Sequence, residues 1–518
     1  MPRPMNLIGG GGGGSSLPLG DATWRREVAL PAGDKTRLIK QCSHCNGTGT
    51  LVLLYVTVPF FGRVEKTKFR ILAAVGTFAA TFMAMVAMAV LWSMYKKVVV
   101  IAGADAVVEL PCGPSSPQVP CLPVTDDVLR SLVEGYFAGG SAYSNVTFQY
   151  GDISDWDVLQ VTDMSALFKN AAYFDADLSR WRVDNVVTLA DLFSGANAFD
   201  GNITLWKTSN VVSLAGAFAS AASFGSSLGA AALSGWDVSN VRDFRGTFRG
   251  AKSFEGLGIG AWQTGSAETM ADMFSGAGKL KEDLSGWDVS NVRDLSGMFA
   301  AAFSFDSDLS GWNVSSCEEM GSIFYQAYAF EGKGLRNWQT GKVRDLSSAF
   351  AEASSFDGDV SKWDVSRCVD FSNTFRDTAE FGGDLEFWNV SSGVTANNMF
   401  DGAIRFVCGN LARWQTGSIT TMREMFARAR KCDPVNHSSG SEFAWDVSQV
   451  TDMSGMLRGA LTFNVEIQMW DVSKVKNFDN FLCGATNFEN QLCEEGANAS
   501  WLKQYCDGVG APPADACK

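Results

Sequence analysis

The sequence predicts an α/β repeat solenoid of about 13 coils, each with one short strand and one short helical turn, preceded by a single transmembrane helix, and three observations carry that prediction. Tryptophan recurs at 156, 181, 206, 236, 262, 287, 312, 338, 363, 388, 414, 445 and 470, in steps of 25 or 26 apart from 30 before Trp236 and 31 before Trp445. Counted from each tryptophan, position +12 is Phe in eleven of thirteen copies, position +18 is Phe in eleven, and position +15 is Ala in all but Thr378. Ile71 to Tyr95 is an unbroken run without a charge. Two aromatic columns flanking a small one describe a stacked core, because no unit of this size buries two large rings alone.

Taken in order, residues 1–70 form a basic, mostly disordered tail whose glycine run, Gly9 to Gly14, reads as flexible linker. Residues 71–95, at ~1.5 Å per residue, are long enough to cross a hydrocarbon core of about 30 Å. Arg70 and Lys96 close the run, and Trp92 and Tyr95 stand where interfacial aromatics belong. The earlier apolar stretch Leu51 to Phe61 is too short to span. Arg63, Lys66, Lys68 and Arg70 before the helix outnumber Lys96 and Lys97 after it, which places the N-terminus in the cytoplasm and the repeats outside, at the plasma membrane. Residues 96–124 are a Pro-rich extracellular spacer, with prolines at 111, 114, 117, 120 and 123. Residues 125–155 are an N-terminal cap with a helix over Asp126 to Phe137, residues 156–488 are the repeats, and residues 489–518 are a Cys-containing C-terminal cap.

One copy, Trp287 to Gly311, shows the unit W-D-V-S-N-V-x-D-M-S-x-M-F-x-x-A-x-x-F-x-x-D-L-S-x in nearly every position. Its D-L-S-x-W-D-V part alternates as a short strand does, and M-x-x-M-F-x-x-A has the three-and-four spacing of a helical turn. A propeller is excluded, since so short a unit cannot supply a four-stranded blade. WQTG at Trp262, Trp338 and Trp414 marks growth in part by copying three units.

WDVSNVRDLSGMF at 287–299, WDVSQVTDMSGML at 445–457 and the lead-in Tyr150-Gly-Asp-Ile-Ser-Asp-Trp156 resemble the BspA-like surface-protein family, whose repeat has the same length as the unit here. The resemblance covers about Thr125 to Phe488. It implies a leucine-rich-repeat-like solenoid displayed on a cell surface for adhesion or recognition. The anchor here departs from the family, being a transmembrane helix in place of a lipid or wall-sorting signal.

Composition restricts the chemistry. With only His44 and His437 in 518 residues, a histidine-rich metal centre is excluded, and a Ser-His-Asp or Cys-His site would rest on one of the two. Residues 1–100 hold 12 Lys/Arg against 4 Asp/Glu, and the remainder 30 against 52, so the two parts carry +8 and −22. The acidic part repels nucleic-acid phosphates; the basic part suits anionic lipid. Cys42-Ser-His-Cys45-Asn-Gly47-Thr-Gly49 resembles one element of the DnaJ-type zinc ribbon without its partner, so Cys42 and Cys45 read as a reduced pair ahead of a zinc site.

Position +7 is acidic in Asp163, Asp243, Asp294, Glu319, Asp345, Asp370 and Asp452, and Ser or Thr in most other copies. Free exchange with Ser and Thr favours turn capping over a calcium or cationic-ligand strip. Asn145, Asn202, Asn436 and Asn498 are glycosylation candidates, while the N-x-S triplets at Asn313 and Asn389 read as Asp-to-Asn variants of the repeat. Cys112 and Cys121 suit a small loop, Cys408 and Cys432 lie in neighbouring coils, and Cys483, Cys493, Cys506 and Cys517 suit a stapled end cap; all eight are disulfide candidates. Cys317 and Cys368 share position +5 two coils apart, too far to bridge, and are expected as buried free thiols. No cofactor and no catalytic residue are expected, since no pair of carboxylates stands apart from the repeat as glycoside hydrolysis requires. The functional expectation is a single-pass surface module that binds an extracellular protein or glycan. A structural coat protein is the alternative, and a surface hydrolase ranks below both.

Overall fold

The computed structural model describes residues 124–226, 233–432 and 443–488, with Leu492, Asn498 and Ser500. The expected tail, membrane span and spacer, and most of the C-terminal cap, lie outside the described residues. The chain divides into Met1–Val98 and Val99–Lys518, and everything described belongs to the second unit. Among the described residues no helix is long and apolar enough to cross a membrane.

Two helices precede the repeats. Helix α1 (Asp126–Ala138) opens on Asp126 and Asp127, which oppose the positive helix end, and buries Leu129, Leu132 and Val133 along one stripe. It stops at Gly139, φ 69°, and α2 (Gly140–Tyr150) follows. Asp126 does more than start a helix. Its Oδ1 accepts from the Thr162 and Asp163 N–H groups at 2.8 and 3.2 Å, and its Oδ2 from the Thr162 hydroxyl at 2.9 Å. In the next repeat the corresponding donors, Val187 and Thr188, both turn to the Thr162 carbonyl. The Asp126 carboxylate thus takes the place of the carbonyl that a preceding repeat would offer, and closes the first exposed edge.

The repeats themselves differ from the expected strand and helical turn. Among the described residues each repeat pairs with the next through one parallel bridge at position +7, in an unbroken series from Asp163 and Thr188 to Asp452 and Asn477. D-L-S-x-W-D-V forms none of these bridges. The M-x-x-M-F-x-x-A segment is a chain of tight turns: Leu167, Lys169 and Ala171 donate to the carbonyls of Met164, Ala166 and Phe168. The residues between them, Met164, Ala166, Phe168 and Asn170, donate instead to Thr188, Ala190, Leu192 and Ser194 in the next repeat. One set of N–H groups closes turns and the other ties neighbours together, which satisfies the backbone without a regular element. Consecutive tight turns return a side chain to the same side every three or four residues, and that is why the pattern imitates a helix.

Alternate turns in this chain have a positive φ at their third residue. Positions +10 and +14 supply it in all thirteen repeats, ten times with glycine and sixteen times without, as in Gly297 (φ 61°) and Ala301 (φ 53°). These two columns contain every described non-glycine residue of positive φ, from Ala166 to Asn480. At Gly297 space adds to conformation, for a Cβ there would lie 2.3 Å from Asp272 Oδ1 of the preceding repeat.

Three D-x-S elements per unit form the polar counterpart. In D-V-S, Asp237 Oδ1 accepts from the Ser239 N–H at 3.0 Å and from its hydroxyl at 2.6 Å. In D-L-S and D-M-S, Asp308 and Asp452 accept the Ser310 and Ser454 N–H groups at 2.8 Å. Each carboxylate caps the amide two residues on, which is the Asx turn. WQTG repeats lack the aspartate after tryptophan, and there the buried Thr264, Thr340 and Thr416 hydroxyls donate to the carbonyls of Asp288, Asp364 and Asp446 in the next repeat.

The aromatic columns fill the interior. Phe193 (+12) stacks on Phe199 (+18) at 3.7 Å and on Phe168 of the preceding repeat at 5.4 Å. Tryptophans stack from repeat to repeat, Trp312 on Trp338 at 6.2 Å and 2°. From Trp181 to Trp445 every indole N–H donates to the carbonyl three residues before the preceding tryptophan, such as Trp312 to Leu284 at 2.9 Å. Trp470, after the longer step, uses Phe443 at 2.8 Å. An indole buried this way costs no unpaired donor.

The turns make two measurable demands. Gly297→Ala should destabilise by at least about 1–2 kcal/mol, the cost of an L side chain in left-handed backbone, whereas Ala301→Gly should stabilise by about 1 kcal/mol. Urea unfolding measures both, and shifts of the same sign would refute the assignment. The second concerns acid. The Ser239, Ser290, Ser366 and Ser448 hydroxyls and amides hold Asp237, Asp288, Asp364 and Asp446 below the usual carboxylate range, and the Ser285 amide and hydroxyl hold Asp283 there. Carboxyls depressed in the folded state contribute stability above their unfolded value near 4, and lose it as pH falls through the depressed values. Circular dichroism should therefore hold from pH 7 to about 5 and collapse below about 4; loss beginning at pH 6 would point to other groups.

Candidate functional site

The bridged segment repeats one burial pattern, with +5 and +8 buried, +6 facing outward and +7 half-buried. Position +6 is therefore a continuous outward column, one residue per repeat, beside the backbone bridges. Its sequence is not the consensus. In the middle Arg242, Glu268, Arg293, Glu318 and Arg344 alternate in sign, with Arg242 and Glu268 3.6 Å apart and Glu318 and Arg344 3.7 Å apart. On either side stand exposed valines, Val187 and Val212 before the charges and Val369 and Val394 after them. Exposed pairs of this kind contribute little to stability, ~0–1 kcal/mol each, and an exposed valine contributes less still, so folding does not account for the column. The consensus did not reveal it, because +6 is its variable x; the buried neighbours at +5 and +8 were the available signal.

Position +7, expected to cap turns, is occupied by the bridge residues. Asp163, Asp294, Asp345, Asp370 and Asp452 each accept the amide two residues on at 2.7 to 3.0 Å, and Thr188 and Ser213 do the same with hydroxyls at 3.2 and 3.3 Å. Asp243 also holds the Arg245 guanidinium at 2.7 Å. Glu319 is the exception: burial, then Asp345 and Asp294 beside it, push its carboxyl above the usual range. Among the described residues no group of His, Cys, Asp or Glu is arranged to hold a metal ion.

A second charged cluster is structural. Asp401 is 3 % exposed and receives Arg428 Nη2 at 2.7 Å, while Arg428 Nη1 reaches Asp377 at 3.0 Å. Hydrogen bonding to Asp401 raises the Arg428 pKa further. This clamp spans three successive repeats where Thr378 replaces the usual Ala.

Cys408 and Cys432 form a disulfide, with Cα atoms 4.8 Å apart. Cys432 takes the +18 place of Phe, so the bridge substitutes for a ring in the core. Cys483 is disulfide-bonded; Cys112, Cys121, Cys493, Cys506 and Cys517 lie outside the described residues, as do Cys42 and Cys45. Cys317 and Cys368 are buried free thiols whose sulfurs sit 3.3 Å from the Glu319 and Asp370 carbonyls. Burial pushes the Cys317 thiol up to about 12 and raises Cys368 as well.

Of the glycosylation candidates, Asn145 is exposed on α2, whereas Asn202 Oδ1 accepts the Thr204 amide and hydroxyl at 3.1 and 2.8 Å. Asn498 receives the Ser500 amide at 3.0 Å, and Asn313 and Asn389 those of Ser315 and Ser391 at 3.1 Å. These four asparagines fill the aspartate role of D-x-S, which accounts for the triplet without a glycan. Asn436 lies outside the described residues. The thiols give a direct check: iodoacetamide on the native chain should leave Cys317 and Cys368 unmodified for as long as the fold holds and label both in 6 M guanidinium, and rapid native labelling would show that position +5 opens to solvent.

No curated protein matches the chain. Four stretches, 140–234, 226–337, 319–439 and 434–501, match the family described as "Mycoplasma protein of unknown function, DUF285". The four overlap end to end and cover more than half of the chain, through the same residues that carry the tryptophan period. The chain is therefore a tandem-repeat protein that belongs to the DUF285 family.

Proposed function

We propose that this protein is a single-pass cell-surface protein, anchored by residues 71–95, whose leucine-rich-repeat-like solenoid is a recognition or adhesion module for an extracellular protein or glycan. The observation that carries the reading is the +6 column: a run of outward side chains at the variable position of the unit, set between the buried positions +5 and +8. Apolar residues flanking alternating charges suit a partner surface, where apolar contact provides affinity and charge sets register. The family match and the BspA-like motifs support the repeat reading. We read the module as non-enzymatic, since carboxylates recur at +7 in seven of the thirteen repeats and all but Glu319 are engaged in turns.

The test uses the full-length chain. In intact cells, added protease should remove an epitope placed after Lys518 and spare one placed before Met1; the reverse would overturn the orientation. On arrays of glycans and surface proteins, the detergent-solubilised chain should show saturable binding that V369K/V394K weakens at least tenfold. Self-assembly into a lattice with no array ligand would favour the coat protein instead.

A further inference from the structure

The outward aromatic rings are not spread evenly. Of seven exposed aromatic side chains among the described residues, four, Phe137, Tyr143, Phe148 and Tyr173, lie between residues 137 and 173. Tyr173 is 95 % exposed, although no other repeat places an aromatic at its position, +17. Stacking therefore does not require it. Phe137, 47 % exposed, is held edge-on by Phe174 at 5.8 Å and Phe168 at 6.3 Å, the first two rings of the core columns.

Phe137 and Tyr173 border a cleft of ≈ 640 Å³ between the helical lead-in and the first repeat, lined also by Tyr136, Asp152, Asp175 and Asp177 among others. No lining residue is basic. Turns fix Asp152 and Asp177, which accept from Ser154 at 3.0 Å and from the Ser179 amide at 2.9 Å, and the next repeat fixes Asp175, which accepts the Asp200 amide at 2.8 Å. Nearby aspartates have cationic partners, Asp155 with Arg180 and Asp157 with Arg182, whereas no described Lys or Arg pairs with Asp175 or Asp177. The cleft thus combines fixed negative charge with open aromatic faces.

We propose that this cleft is a binding site for a basic segment of a partner polypeptide, with Lys or Arg side chains laid on the aromatic rings and their charged ends toward Asp152, Asp175 and Asp177. A cation with an apolar stem uses both features: the ring quadrupole attracts the charge, the ring face covers the stem, and the carboxylates supply the opposite charge. An acidic ligand meets only like charge here, and a neutral sugar leaves Asp175 and Asp177 without a counter-charge. The acidity of the whole repeat region steers the same ligand toward the protein. The site rests on the recognition reading above and gives its ligand chemistry, at a place separate from the +6 column.

A fluorescein-labelled octalysine peptide is the probe, titrated against the full-length chain in detergent at 0.15 M salt, with a neutral hexasaccharide as the competing ligand. Asp175→Asn and Asp177→Asn keep the oxygen that accepts the Asp200 or Ser179 amide and remove the charge; each should weaken octalysine binding at least fivefold. Tyr173→Ala, at an exposed position that leaves the core untouched, should do the same. Asp308→Asn removes an equivalent turn carboxylate from a central repeat and should change binding less than twofold. Equal losses in Asp308→Asn and Asp177→Asn would reduce the effect to diffuse charge and overturn the proposal, as would an unaltered Tyr173→Ala, absence of octalysine binding, or preferential binding of the hexasaccharide. Because V369K/V394K alters only the +6 column, its effect on array ligands and the cleft variants' effect on octalysine fail independently.

Discussion

Everything in the repeats depends on the backbone holding left-handed conformation at two positions in every unit. At +10 and +14 the chain turns so that alternate amides point along the stack and the remainder close on their own turn. Sixteen of these residues are not glycine and carry strain of about 1–2 kcal/mol each. The strain persists because each such residue from Ala166 to Arg428 donates its own amide to a carbonyl of the stacked neighbour, so relaxing one φ would orphan groups in two repeats.

The same dependence makes the units inseparable. Most tryptophan rings lie on a neighbouring one, and from Trp181 on the N–H of each is satisfied by a carbonyl about a repeat earlier in the chain, so a lone unit would expose both its rings and its donors. Stability in such an array is a sum over adjacent interfaces, and the ends are where it fails. At the N-terminal end the answer is chemical as well as steric: α1 lays Leu129, Leu132 and Val133 on the core, and Asp126 presents carboxylate oxygens where a preceding carbonyl would be. The Cys408 to Cys432 bridge performs an interior version of this, replacing a missing +18 ring by a covalent tie.

With core and backbone committed, few positions remain free to carry specificity. Position +7 looks functional in one dimension, being rich in carboxylates, yet those oxygens cap turns and Ser or Thr serves as well. Position +6 and Tyr173 are the reverse: those side chains contribute little to the fold, and they differ from copy to copy. Variation on a scaffold this repetitive is the natural place for recognition, because altering it leaves the hydrogen-bonding scheme intact.

Periodicity, the aromatic and alanine columns, the helical lead-in and the burial of Cys317 and Cys368 were legible in the sequence, because each follows from side-chain polarity recurring at a constant step. The turn scheme was partly legible: most places at +10 and +14 hold Gly, Asn or Asp, the types that tolerate positive φ, but the three-and-four spacing of Met, Phe and Ala imitated a helix. The sign of φ at Ala301, Glu352 or Arg428 was not legible, since those residues prefer the opposite region and are overruled by partners a whole repeat away. Tertiary structure alone decided which amides bond within a repeat and which between repeats, that Asp126 stands in for a missing carbonyl, and that Tyr173 opens onto a cleft. Local sequence encodes the polarity of each side chain, but the partner of a backbone group is set by whichever chain segment stacks against it.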